Sequence, residues 1–94
     1  MKYIISENRL DSIMKKYLDF FLLNKNVIDD QGSIIVYDDV EYYLEYFPRK
    51  RELIISEVIL DEFATMFGLT RKESFRFITD WFENEFHVKV QMAG

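Results

Sequence analysis

Residues 34 to 55 read Ile34-Ile35-Val36-Tyr37, Asp38-Asp39, Val40-Glu41-Tyr42-Tyr43-Leu44-Glu45-Tyr46-Phe47, Pro48-Arg49-Lys50-Arg51, Glu52-Leu53-Ile54-Ile55, and this stretch decides the fold. A β-branched run ends in an Asp-Asp turn. After it comes a segment of period two, with Val40, Tyr42, Leu44 and Tyr46 on one side and Glu41, Tyr43, Glu45 and Phe47 on the other. Pro48 to Arg51 makes a second turn, and Leu53-Ile54-Ile55 returns as a third strand. Strands joined by turns this short pair with their neighbours, so an antiparallel meander is expected. One face is apolar and the other mixed, and Tyr43 and Phe47 stand among the charges of the mixed face.

Upstream, Tyr3-Ile4-Ile5 reads as a short strand and Ser6 as a helix N-cap. From Leu10 onward, Ile13, Met14, Tyr17, Phe20 and Phe21 recur in three- and four-residue steps, which predicts an amphipathic helix over about residues 7 to 24. Leu18 and Leu22 widen its apolar stripe. Asn24-Lys25-Asn26 ends the helix, and Asp29-Asp30-Gln31-Gly32-Ser33 reads as a turn cluster. Downstream, Ser56 caps a helix carrying Leu60, Phe63, Ala64 and Phe67, which Gly68 terminates. Thr70 and Glu73 have capping-box spacing and open a third helix. Phe75, Ile78 and Phe82 form the stripe of that helix, with Phe77 and Trp81 on a neighbouring one. His87 to Gln91 alternates as a last strand. The expected architecture is a single α+β domain over residues 1–94, in the order β-α-β-β-β-α-α-β, with helices covering one face of a mostly antiparallel sheet.

Composition limits the function. The chain has 94 residues, enough for one core, and a formal net charge of −5, which argues against a protein built to coat nucleic acid or an anionic membrane. With no cysteine there is no disulfide framework and no thiolate site. The longest apolar runs are far shorter than a membrane span, and Met1-Lys2-Tyr3 opens no secretory signal. The expected location is therefore the cytoplasm, or a virion. A preponderance of Phe, Tyr, Met, Ile, Asn and Lys over Gly, Ala, Arg and Pro reflects A/T-rich codons and favours a bacteriophage source.

Catalytic signals are thin. His87, the single histidine, falls on a solvent-facing strand position in this reading. Asp29-Asp30 and Asp38-Asp39 fit turn chemistry better than a calcium loop, and three glycines make no phosphate-binding loop. Neither enzyme activity, nor a cofactor, nor a metal is expected. The excess of large rings points instead to binding of another protein or of a second copy, as a homo-oligomer or within a larger assembly. The candidate contact residues are Tyr43, Phe47, Phe77 and Trp81, which lie off the main stripes, and the cationic turn Arg49, Lys50 and Arg51.

Residues 60 to 79 resemble a helix-turn-helix unit: Ala64 on the first helix, Gly68-Leu69 in the turn, then a capped helix bearing Arg71, Lys72 and Arg76. The resemblance implies DNA binding through those three cations, as the alternative function. It departs from the usual pattern at Ser74, where an apolar residue is expected.

Overall fold

The computed structural model of the chain describes residues 7–93, with the side chains of residues 9–91. Its elements are α1 (Glu7–Leu22), β1 (Asn26–Asp30), β2 (Ser33–Tyr37), β3 (Tyr42–Phe47), β4 (Glu52–Ile55), α2 (Glu57–Phe67), α3 (Arg71–Phe86) and β5 (Met92–Ala93). The α+β class and the antiparallel meander under a helical layer are as expected. The sheet order is β1-β2-β3-β4-β5, with β1 to β4 antiparallel and the two-residue β5 running parallel to β4. The predicted strand at Tyr3 to Ile5 and the Ser6 cap lie outside the described residues.

Two boundaries differ from the sequence reading. The meander has one more strand than the pattern predicts, because Asn26 to Asp30 pairs along its whole length with β2 rather than forming a loop. Gln31 and Gly32, with φ of 54° and 89°, make the two-residue turn whose left-handed backbone matches strand twist. All five residues of β1 are exposed, so ladder hydrogen bonds rather than burial hold it, and its sequence carries little hydrophobic signal. At the other end, His87 is the left-handed C-cap of α3 (φ 56°), with an exposed side chain, and its N–H donates to the Glu83 carbonyl. The last strand begins after the predicted segment, at Met92.

The caps follow the sequence. Ser56 accepts from the Val58 N–H, Gly68 takes the left-handed conformation that ends α2, and Thr70 and Glu73 form a reciprocal capping box. The core is one cluster. Ile34, Val36, Leu44, Tyr46, Leu53 and Ile55 of the sheet meet Met14, Leu18 and Leu22 of α1, Ile59, Leu60 and Phe63 of α2, and Ile78, Trp81 and Phe82 of α3. The stripe of α1 is thus centred on Leu18 and Leu22, while Ile13 and Phe20 lie outside it and are exposed. Ser74 is fully buried, and its hydroxyl donates to the Thr70 carbonyl, which satisfies it inside the α2–α3 contact.

Candidate functional site

Strand pairing assembles the uncovered face of the sheet row by row. Ile28 pairs with Ile35, Ile35 with Glu45 and Glu45 with Ile54, so three isoleucines and one carboxylate cross the four strands in a line. On one side of this line lie Asn26, Tyr37 and Tyr42; on the other lie Asp30, Ser33, Phe47 and Glu52. Tyr42 is 57% exposed, Ile28 45%, Phe47 40% and Ile54 38%. Among the described residues no helix lies across this face. Apolar side chains exposed together in this way are the usual mark of a docking surface.

A β-bulge decides which tyrosine belongs to which face. Val36 pairs with Leu44 but Tyr37 pairs with Tyr42, which leaves Tyr43 as the extra residue on β3. The bulge turns Tyr43 toward the helices beside Leu44 and leaves Tyr42 on the open face, with its ring 5.5 Å from that of Tyr37. Strict alternation assigns these two residues the other way round. Tyr43 is buried, edge-on to Phe21 at 5.3 Å, and its hydroxyl donates to Asp38 Oδ2 at 2.8 Å. Burial and that hydrogen bond push the Tyr43 hydroxyl up to about 12. Its carbonyl accepts the Ser56 N–H, so the bulged backbone is not left unpaired.

Asp38 organises the β2–β3 turn. Its carboxylate accepts from the Val40 and Glu41 amides and pairs with Lys25 Nζ at 3.1 Å. The hydrogen bond from the Val40 amide, assisted by Tyr43, Glu41 and Lys25, holds its carboxyl well below the usual range despite partial burial. The turn-chemistry reading of Asp38-Asp39 fits this geometry. Asp29 and Asp30 instead end strand β1.

Of the four aromatic residues expected at one surface, only Phe47 is exposed, and no joint patch exists. Trp81 is buried because α3 lies against α1 as well as α2, so its second stripe is covered too. Its indole N–H donates to Asp19 Oδ1 at 2.8 Å. Burial raises the Asp19 carboxyl, but hydrogen bonds from Lys15 and Trp81 outweigh it and leave the group below the usual range. Phe77 is half-buried, stacked on Phe63 at 5.7 Å. Arg49, Lys50 and Arg51 are exposed at the β3–β4 turn, with no ion pair to any described residue. The backbone of Arg51 is used, since its carbonyl accepts the Gln91 N–H.

The helix-turn-helix cations are divided. Arg71 forks onto both carboxylate oxygens of Glu57 and lies 3.8 Å from Asp61, so its charge is spent inside the α2–α3 hairpin. Lys72 and Arg76 are exposed and line a shallow groove with Val90 and Gln91. Among the described residues no three His, Asp or Glu side chains group as metal ligands, and no helix is long and apolar enough to cross a membrane. A cleft of about 510 Å³ between α1 and α3 is lined by Asp11, Lys15, Asp80 and Glu85 over the Trp81 ring. Its lining holds no histidine.

No protein-family model, curated protein or solved structure matches the chain. Sequence reasoning placed Glu45 on the mixed, charged face but missed Ile28, Ile35, Tyr42 and Ile54 as surface residues. Ile35 and Ile54 sit inside apolar runs whose only clue to a second face is the period of two.

Proposed function

We propose that the chain is a small, acidic, non-enzymatic protein-binding domain whose partner covers the open face of the sheet. One observation carries this reading. Helices bury one face over β2, β3 and β4, while the other presents Ile28, Tyr42, Phe47 and Ile54 to solvent around the row through Ile35 and Glu45. Removing such side chains from water is the main source of binding free energy, and a few central aromatic and aliphatic anchors carry most of it. The non-enzymatic part rests on the chemical inventory, which has one histidine, exposed on a helix cap, and no cysteine. The codon bias in the composition supports a phage setting, with the protein acting in the host cytoplasm on a host protein or as a component of virion assembly.

The test is affinity capture from cells that encode the protein, with the wild-type chain and Ile54→Asp as parallel baits. Loss of the partner by a variant that melts like the wild type is the expected result. Capture that survives Ile54→Asp, and also survives Ile28→Asp, overturns the reading. The DNA-binding alternative keeps only Lys72 and Arg76 as unpaired cations on α3. It predicts a gel shift that weakens on Arg76→Ala and falls steeply with salt.

A further inference from the structure

We infer that the open face is built to receive a cationic amphipathic helix from another protein, with a lysine or arginine seated on Glu45. The inference rests on the docking reading above and adds the chemistry of the partner. Glu45 stands at the centre of the face, paired across β3 with Ile35 on one side and Ile54 on the other. It is half-buried and makes no hydrogen bond or ion pair with any described residue. Three other partly buried carboxylates are provided for, since Glu41 accepts from the Ser56 hydroxyl, Glu83 from the Val90 amide and Asp19 from the Trp81 indole, whereas Glu52, half-buried at the rim of the same face, is as unpartnered among the described residues as Glu45.

A wholly apolar cover would seal Glu45 away from water without a partner, and an unpaired buried charge is among the costliest arrangements in a protein. The cover must therefore bring a cation. The rest of the face has the same sign. Its charged strand positions are Asp30, Glu45 and Glu52, and no lysine or arginine occupies a strand position on it. A second copy docking through the same face would set these acids against themselves across a two-fold axis, which argues against self-association there. The backbone of the occupant follows from the sheet. Ladder hydrogen bonds lie in the plane of the strands, so an extended segment laid on this face would leave its own N–H and C=O groups unpaired. A helix satisfies them internally and presents one apolar stripe, as α1, α2 and α3 do on the opposite face.

The test uses the full chain and two synthetic helical peptides, one of leucine and lysine and one of leucine and glutamate, with binding followed by amide NMR shifts and by titration. The leucine–lysine peptide should shift the resonances of Ile28, Ile35, Glu45 and Ile54 and bind more tightly than its acidic counterpart. Glu45→Lys should weaken it by about tenfold or more, and Glu45→Gln by an intermediate factor. Glu62→Lys makes the same change of net charge on the exposed side of α2 and should alter affinity by no more than about twofold. Equal losses in Glu45→Lys and Glu62→Lys would mean unspecific attraction and overturn the inference. Preference for the acidic peptide at the same residues would overturn the cation while leaving the docking face standing. Shifts confined to α1, where Ile13 and Phe20 are also exposed, would overturn it as well. So would a concentration-dependent dimer whose contact maps to Glu45. The Ile54→Asp capture experiment judges the docking face independently of these outcomes.

Discussion

On the helix-covered face of the sheet, Ile34, Val36, Leu44, Tyr46, Leu53 and Ile55 are all buried, and the Tyr46 hydroxyl donates to the Lys89 carbonyl. On the open face, isoleucines and rings alternate with Asp30, Glu45 and Glu52, and Glu45 has no partner among the described residues. Both faces come from the same four strands. From β2 to β4 the covered face is closed over by helices, and β1 at the edge stays exposed on both sides. The open face combines exposed apolar groups with three carboxylates, the combination on which the proposed docking role rests.

The largest effect expected from this comparison is on stability. Leu44→Ala should cost about 3 kcal/mol, since it leaves a cavity under α1 and α2, whereas Ile54→Ala should cost about 1 kcal/mol or less. Urea denaturation of both variants checks this, and equal losses would mean that the two faces are not as different as their burial indicates. A smaller effect follows from the bulge. The Tyr43 hydroxyl stays protonated to about 12 in the folded chain, against about 10 when unfolded. Its contribution is therefore intact below pH of about 10 and lost as pH rises through about 12. Tyr43→Phe should flatten that alkaline decline, as thermal melts across the alkaline range would show.

Asp38 acts at the acid end with the opposite sign. Its folded value is depressed, so its contribution is present above the unfolded carboxylate value of about 4 and is lost as pH falls below it. Asp38→Asn should shallow the acid limb of a melting-temperature profile. The smallest effect expected is at the cationic turn. Reversing Arg49, Lys50 and Arg51 to glutamate should change stability by no more than about 0.5 kcal/mol each, because these side chains make no ion pair among the described residues. Partner capture should also survive, since a cationic partner gains nothing from these residues. Loss of capture would move the contact from the open face to the turn.

Much of the architecture was legible in the sequence because local signals agreed. Ser56, Gly68 and the Thr70–Glu73 pair placed the helix ends, and the runs at 34–37 and 53–55 placed two core strands. Strand β1 was not legible, because Val27 and Ile28 are flanked by polar residues and its pairing is made by β2 rather than by its own pattern. The site was read less well for a single physical reason. Period-two alternation assumes an unbroken strand, and the bulge at Tyr43 exchanges the faces of Tyr42 and Tyr43. Trp81 was misplaced because a helix packed on two sides buries two stripes, and spacing alone does not say how many neighbours a helix has.

The account is tested most directly by hydroxyl-radical footprinting of the chain, free and in complex with its captured partner. Oxidation of Tyr42 and Phe47, on the open face, should fall sharply in the complex, while Met66 on α2 and Phe20 on α1, which are 57% and 74% exposed, should oxidise as in the free chain. Protection of Met66 or Phe20 with Tyr42 and Phe47 unchanged would contradict it.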